Sequence, residues 1–279
     1  MRITAFKNFK FVLGSVCLLA VIFLALFGQM LTPHSPNQQD LFNSLQPPSV
    51  VAGGNIFGTD HLGRDIFARM ASGARVSLII AVSVVVISGV FGMIYGALSG
   101  YWGGMRDIAM QKVVETFWAF PAILLALTIL AFFGQTLVNL IIAISIQRWI
   151  PYSRIARGQA LVLRNREFVF ASQVLGGGTA WIIRRHIMPN LYSAAIVVGT
   201  FSMATAILTE AALSFLGVGV PPRIATWGGM LSEGQSYVFE AWWIATFPGL
   251  GIFITVMSLN LIGDWLRDQL DPKGYLNLR

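Results

Sequence analysis

The segment Arg164-Asn-Arg-Glu167-Phe-Val-Phe-Ala171-Ser-Gln-Val-Leu-Gly176-Gly-Gly interrupts a chain that otherwise consists largely of long apolar tracts. Within it, apolar and small residues recur at i, i+3, i+4 and i+7, which predicts one face of a short helix. These residues are Phe168, Ala171, Ser172 and Leu175. Glu167 falls in the predicted first turn, where the helix dipole favours a carboxylate. The glycines that begin at Gly176 predict the end of this helix.

A second short helix is predicted directly after these glycines. It would run from Ala180 to Ile187, with Thr179 as its cap and an end before Pro189. The residues alone leave two interpretations of this helix–glycine–helix unit. It could dock into a groove on a partner protein, since small residues allow close approach, or it could rest on anionic lipid headgroups through its flanking arginines.

The composition indicates a membrane protein with several spans. Of the 279 residues, 56% are hydrophobic and 11% are charged, against about 25% charged in soluble domains. A spanning helix needs about 20 apolar residues, and five tracts reach or approach that length. The tract Thr116–Gln147 is divided at Gly134, which gives six spans. These are Phe11–Leu31, Val76–Gly100, roughly Ile108–Phe133, Leu137–Gly158, Leu191–Thr209 and Ala241–Gly263.

The distribution of basic residues predicts the orientation. Fifteen of the 19 lysines and arginines fall on the side of the two termini. Arg148 and Arg154, at the end of the fourth span, are among these fifteen. Basic residues favour the cytoplasmic side, so both termini and the loop 164–190 are expected to be cytoplasmic. This bias accounts for the net charge of +7 without a nucleic-acid partner.

Two longer segments are expected outside the membrane, Thr32–Arg75 and Val218–Glu240. The second contains a predicted short interfacial helix, Met230–Phe239. Trp242 and Trp243 follow at the position of an aromatic belt. We expect three regions: residues 1–75 with the first span and external loop, residues 76–272 as the core, and residues 273–279 as a cytoplasmic tail.

The loop also resembles a known family. Glu167-Phe-Val-x-Ala171-Ser-x-x-Leu-Gly176, followed by Ile183-x-Arg185-His186-Ile-Met-Pro189-Asn190, is similar to the EAA motif of ABC-importer permeases. More narrowly, it resembles the C-type subunit of the dipeptide/oligopeptide/nickel permease family. Further matching segments extend from about residue 57 to 272, among them Gly58–Asp65, Gly100–Gly104 and Asn260–Pro272. The motif's second alanine is Ser172 here and its usual Ala-Ser is Gly177-Gly178, and both replacements are small.

The resemblance implies an all-α membrane protein of six transmembrane helices with a cytoplasmic coupling helix, the type I ABC-importer permease fold. It implies a second homologous permease as heterodimer partner, two ATP-binding cassette subunits and an extracytoplasmic solute-binding protein, in the bacterial cytoplasmic membrane. It also implies that the docking helix couples to the ATPase. The residues assigned to this coupling are Glu167, Phe168, Ala171, Ser172, Leu175 and Gly176.

No phosphate loop of the form G-x-x-x-x-G-K-[ST] occurs in the sequence. ATP and magnesium are therefore expected on partner subunits, with no cofactor in this chain. Metalloprotease and hydrolase motifs are also missing, which argues against an intramembrane enzyme. His34, His61 and His186 are too widely scattered along the chain to predict a metal site.

Glu210 is the conspicuous charge near an apolar tract. Intramembrane carboxylates commonly face a bundle interior or a water-filled path, so Glu210 is a candidate pathway-lining residue, or else a hydrated residue near the outer surface. An ATP-independent secondary transporter or channel would leave the docking loop unexplained. Peptides are the favoured substrate from the breadth of the family, with nickel or a metal chelate as the alternative.

Overall fold

All regular secondary structure in the described part of the chain is helical. The computed structural model describes residues 2–49 and 55–270, with side chains from residue 9 onward, so the predicted tail 273–279 lies outside it. Among these residues no β-strand occurs. The α-helices are α1 (Arg2–Phe27), α2 (Ile66–Trp102), α3 (Gly104–Ala119), α4 (Ala122–Phe133), α5 (Leu137–Leu163), α6 (Glu167–Val174), α7 (Thr179–Ile182), α8 (Met188–Phe215), α9 (Trp227–Gly234) and α10 (Trp243–Leu270).

Several of these helices can cross a membrane. Four stretches of the described residues have the necessary length and apolarity, namely Phe9–Met30, Ile66–Trp102, Thr179–Phe215 and Trp243–Leu270. The bent pair α3 and α4 makes a fifth if it is counted as one span. α5 has 27 residues but is not among the four, and polar residues such as Gln147 and Arg148 lower its hydropathy. The all-α membrane fold is confirmed, whereas the count of six spans stays a prediction.

The continuous helix predicted over Ile108–Phe133 is wrong. α3 ends before Phe120, which has φ −85° and ψ 134°, and α4 begins after Pro121. The two helices bend by 83° at this break. A proline disfavours helical geometry in the residue before it and lacks an N–H for the ladder. The predicted single span therefore consists of two separate helices, α3 and α4.

α2 begins well before the predicted start at Val76. Asp65 caps its first turn, since a carboxylate oxygen accepts a hydrogen bond from the Phe67 N–H at 2.9 Å. Asp is a favoured residue at this position. The predicted boundary is wrong because Arg69 and Arg75 end the charge-free tract, although both belong to the helix.

α2 and α5 pack with their backbones in close contact. A Cβ atom at Gly96 would lie 2.1 Å from the Ser153 carbonyl oxygen, and one at Gly92 would lie 2.3 Å from that of Trp149. Glycines four residues apart lie on the same face of a helix, so they form a smooth strip along α2. This strip fixes α5, and with it the segment that follows α5, against α2.

The two ends of the described chain lie at the same end of the bundle. The Phe11 ring near the start of α1 stacks on Trp265 near the end of α10, with 4.1 Å between ring centroids. At the other end of α1, the Gln29 side chain donates a hydrogen bond to the Ala68 carbonyl at 2.6 Å. α2 therefore starts at the far end and returns to the end that holds both termini.

The second helix of the loop does not end before Pro189 as predicted. α7 passes through a π-helical segment, Ile183–Ile187, into α8, and the three together form one helical stretch of 37 residues. Thr179 is not the cap, because Gly178 occupies that position without a side-chain hydrogen bond. A π turn accommodates an interruption of the helical ladder, and Pro189, which has no N–H, lies in the first turn of α8.

The external helix and the tryptophans after it also differ from the prediction. α9 starts at Trp227, where the Thr226 hydroxyl accepts from the Gly229 N–H at 3.0 Å, and a 3-10 turn ends at Tyr237. Trp242 is half exposed, as a belt residue would be. Trp243 is instead buried, and its Nε1–H donates to the Thr59 carbonyl at 3.0 Å. The belt assignment is therefore wrong for Trp243.

Candidate functional site

The predicted docking helix is present as α6, which spans Glu167–Val174 with Glu167 in its first turn. Gly176 follows it with φ 82°, a left-handed conformation that glycine adopts without strain. The Gly176 N–H donates to the Gln173 carbonyl at 3.0 Å, and the Gly177 N–H donates to the Ser172 carbonyl at 2.9 Å. These two bonds form a Schellman motif. The predicted glycine stop is confirmed.

The outward face of α6 is only partly the predicted one. Val169 and Ser172 are buried, so the hydroxyl of Ser172 faces the protein rather than a partner. Ala171 is exposed, and next to it Phe170 and Val174 are 66% and 71% exposed. Leu175 and Phe168 are also exposed. The outward stripe therefore includes two apolar residues, Phe170 and Val174, that the spacing argument missed.

The miss has a simple cause. Apolar side chains occupy positions all around this short helix, so periodicity gives no contrast between its faces. The inward face is decided by contact with a core that includes Ala156, Ile182 and Leu191, where Val169 packs. The only polar residues in the helix after Glu167 are Ser172 and Gln173, and the sequence does not show that Ser172 is inward.

A histidine from the second helix anchors α6. The Ser172 hydroxyl and His186 Nε2 lie 2.8 Å apart, a hydrogen-bond distance. The His186 ring contacts the rings of Phe168 and Trp181, with centroids 5.6 Å and 5.1 Å away. Because His186 lies in the helical stretch that leads into α8, this contact fixes α6 to a long helix rather than to a loop alone.

An ion pair ties together the ends of three helices near α6. Asp107 in the first turn of α3 accepts two hydrogen bonds from Arg157 of α5, from Nε and Nη2, each at 2.7 Å. The Ser99 hydroxyl of α2 donates to the same carboxylate. Bidentate arginine–carboxylate pairs are strong and geometrically specific. This end of the bundle is therefore held as one unit on which α6 rests.

A groove runs beside α6 at this end. Its volume is ≈ 580 Å³, and α6 contributes Glu167, Phe170, Ala171 and Gln173 to its wall. The rest of its lining comes from Tyr101, Arg164 and Asn165. In helix-in-groove docking, a helix presents an apolar stripe to a groove on its partner. α6 presents such a stripe beside this groove of its own chain.

Glu210 is enclosed within the chain. Its side chain is 1% exposed, and Oε1 accepts a hydrogen bond from the Ser214 hydroxyl at 2.8 Å. The carboxylate therefore has no surface on a water-filled path in this subunit. The same burial argues against the alternative that Glu210 is hydrated near the outer surface.

Lys112 and Glu115 form an exposed pair at 2.9 Å, one turn apart on α3.

The end of the bundle opposite α6, which is predicted to be external, carries a largely buried network of four charges, here named the external cap. Arg64 Nη2 donates to Glu233 at 2.6 Å, and the Arg64 Nε–H donates to Asp60. Arg69 Nη2 donates to Glu233 at 3.0 Å. Asp60 also accepts from the backbone N–H groups of Leu62 and Arg64. Two cations and two carboxylates thus join the loop before α2 to α9.

The cap contains the closest approach to a metal cluster in the described residues. Asp60, His61 and Glu233 each place a ligand atom within 4.8 Å of the others. However, both carboxylates are already bound to guanidinium groups, and a cation beside two arginines would be repelled. Of the other histidines, His34 pairs with Asp65 and His186 contacts Ser172.

Comparisons with known proteins agree with this geometry. Residues 92–273 match the family described as binding-protein-dependent transport system inner membrane component. Residues 4–48 match the N-terminal TM domain of oligopeptide transport permease C. The two matches together extend over most of the chain and include α6.

Individual relatives are similar over nearly the whole length. The oligopeptide transport system permease protein OppC of Bacillus subtilis is 40% identical, with 93% of this chain and 84% of the relative covered. The di/tripeptide transport system permease protein DppC of Pseudomonas aeruginosa is also 40% identical, over 93% and 87%. An inward-facing MetNI methionine ABC transporter structure matches with TM-score 0.58 and 16% identity, over 73% of this chain and 96% of that one.

Proposed function

This chain belongs to the family of binding-protein-dependent transport system inner membrane components, and we propose that it is one of two permease subunits of an ATP-driven peptide importer. The second permease would be a homologous chain, so that each supplies half of the pathway. Two ATP-binding cassette subunits and an extracytoplasmic solute-binding protein complete the proposed complex. Its location would be the bacterial cytoplasmic membrane.

The observation that carries the coupling role is the exposed apolar stripe of α6 on a rigid support. Phe170, Val174 and Leu175 have large exposed apolar surfaces, whereas Val169 and Ser172 hold the helix to the bundle. Exposed apolar patches on an ordered helix mark a site for a partner. Movement of a docked ATPase would be transmitted through α6 to α5 and α8 as rigid bodies.

The sequence indicates which subunits of the proposed complex bind ATP. A chain without a phosphate loop would not bind ATP by that device, so ATP and Mg²⁺ are assigned to the partner subunits and this subunit is non-catalytic. The bundle end that carries α6 also carries both described termini, since Phe11 stacks on Trp265. The basic-residue bias supports placing this end in the cytoplasm.

Peptides are the substrate class that the relatives support. The relatives from Bacillus subtilis and Pseudomonas aeruginosa are named for oligopeptides and di/tripeptides, and an Escherichia coli relative at 37% identity is named for D,D-dipeptides. The nickel alternative gains no support from the cluster of Asp60, His61 and Glu233, whose carboxylates are bound by arginine. We therefore assign peptides to this permease.

The coupling role is tested by placing a charge on the outward stripe. Ala171→Arg, in the complete importer co-expressed with its partner subunits, would put a long cation against the ATPase groove. We expect peptide uptake to fall by about tenfold or more, because buried contacts at the centre of an interface dominate binding. Uptake of a labelled tripeptide and ATP turnover are measured in the same membrane vesicles.

Ala180→Arg is the matched control, since Ala180 is also an exposed alanine of the loop but lies on α7. This control is expected to keep most of the uptake. If Ala171→Arg leaves both uptake and ATP turnover unchanged, α6 is not the coupling element. Equal losses in both variants would mean that charge anywhere in the loop is harmful and would remove the special role of the α6 stripe.

A further inference from the structure

Arg148 occupies an unusual position for an arginine. It lies eleven residues after Leu137, where both α5 and the predicted fourth span begin. This distance is roughly 16 Å along the helix, about half the thickness of a hydrocarbon core. The count of basic residues places Arg148 on the cytoplasmic side, although the predicted span Leu137–Gly158 contains it. α5 continues to Leu163, which leaves Arg148 well inside the helix.

The guanidinium of Arg148 has little to bind within its own chain. Arg148 Nη2 donates one hydrogen bond to the Thr209 hydroxyl of α8, at 2.9 Å, whereas a guanidinium carries five N–H donors. No carboxylate of the described residues forms a salt bridge with it, although Arg64, Arg69 and Arg157 each have one. Glu210, which follows Thr209, is hydrogen-bonded to Ser214 instead.

An arginine of this kind does not belong against lipid tails. Charged side chains within membrane segments face a bundle interior or a water-filled cavity, because exposure to hydrocarbon is unfavourable. Arg148 is half-buried, so part of its donor set stays accessible. The face of α5 towards α8 must therefore border protein or water rather than lipid.

The same two helices border a groove of mixed polar and apolar lining nearer the end that carries α6. This groove has a volume of ≈ 480 Å³, and Arg154 and Gln159 of α5 face Ser193 of α8 within its lining, with Arg267 of α10 beside them. Two further arginines thus line the space between α5 and α8. The charged residues that line this groove are both arginines, so they favour anions over cations.

We infer that Arg148 is a specificity-determining residue that binds the carboxylate of the transported peptide as it passes through the pathway. This inference rests on the proposed peptide-import function. A guanidinium can hold a carboxylate through two parallel N–H···O bonds, a geometry that the single bond to Thr209 leaves available. The α-carboxylate occurs in peptides of any sequence, so one fixed arginine serves substrates with different side chains.

The test compares two substrates in the complete importer with its binding protein. Trialanine and its C-terminal amide differ in the carboxylate alone, and initial uptake is measured for wild type, Arg148→Gln and Arg148→Lys. The ratio of variant to wild-type rate for each peptide cancels any preference of the binding protein. We expect Arg148→Gln to lower trialanine uptake by about tenfold and amide uptake much less, with Arg148→Lys in between.

Arg106→Gln is the control, since it removes a charge from the exposed surface of α3, where the guanidinium stacks over Trp102 at 5.6 Å. It should affect the two peptides equally. An Arg148→Gln variant that lowers uptake of both peptides equally, with the complex intact, would place the carboxylate on a partner subunit and overturn the inference. No effect on either peptide would overturn it as well. Failure of the wild-type complex to import either peptide would instead overturn the proposed function.

Discussion

The external cap and the helix α6 lie at opposite ends of the bundle and differ in which kind of side chain they bury. The cap buries Asp60, Arg64 and Arg69 and pairs their charges within the chain. α6 instead leaves Phe170 and Leu175 largely exposed, with no chain segment covering them in the described residues. The cap therefore removes charged side chains from water, whereas α6 leaves apolar side chains exposed to water.

The difference shows which end is complete in the isolated subunit. A buried charge is tolerated only when it is paired and hydrogen-bonded, so the cap must be complete before any partner arrives. An exposed apolar stripe gains free energy only when a partner removes it from water. We therefore expect substitutions in the cap to affect folding of the chain, and substitutions on α6 to affect the assembled complex.

The largest expected effect comes from breaking the cap. Asp60→Ala would leave Arg64 and Arg69 with Glu233 alone, and removing one partner of a buried charge network costs about 3–5 kcal/mol. Asp60→Asn should have a smaller effect, since it can still accept hydrogen bonds from the turn. The free energy of unfolding in detergent, from denaturant titration, measures both.

Lys112→Ala serves as the comparison for an exposed ion pair. The side chains of Lys112 and Glu115 are 73% and 59% exposed, and water screens such a pair. We expect no measurable change in stability from this substitution. An Asp60→Ala chain as stable as Lys112→Ala would show that the cap does not hold the external end together.

A middle-sized effect is expected where the two ends are connected, along α2 and α5. Gly96→Ala would place a Cβ atom against the Ser153 carbonyl oxygen, and overpacking of this kind costs about 1–3 kcal/mol. Gly158→Ala is the matched control, because a Cβ there meets nothing within 4 Å and alanine favours a helix. Thermal unfolding in detergent should move in opposite directions for the two variants.

If Gly96→Ala is as stable as wild type, the backbones of α2 and α5 can separate without penalty. Rigid transmission between α6 and the external cap would then be excluded along this route. The same result would leave the separate contact between His186 and α6 unaffected.

The smallest effect is expected at the end of α6. Gly176→Ala puts a side chain at φ 82°, which costs about 1 kcal/mol. Gly178→Ala is the control, since Gly178 has φ −73° and open space around it. Hydrogen exchange of the α6 amides should become several-fold faster in Gly176→Ala alone. Unchanged exchange would mean that the Schellman motif does not hold the helix end.

Sequence reasoning succeeded where local chemistry decides the structure. Glu167 and Gly176 define the ends of α6 because a carboxylate suits a helix start and a left-handed position suits glycine. It failed where a charge was taken to mark the start of a span. Arg69 and Arg75 lie inside α2, and Arg69 pairs with Glu233 there, so a charge-free tract is not the same as a helix.

By itself, the sequence determined the membrane class, the all-helical fold and the existence of the short helix α6, since composition, hydropathy and helix-end signals act over a few residues. Only the tertiary structure decided which face of α6 points outward, that Trp243 is buried, and that Arg148 has no carboxylate partner. These features depend on side chains that are distant in the sequence, and burial or pairing across such distances leaves no periodic signal in the chain.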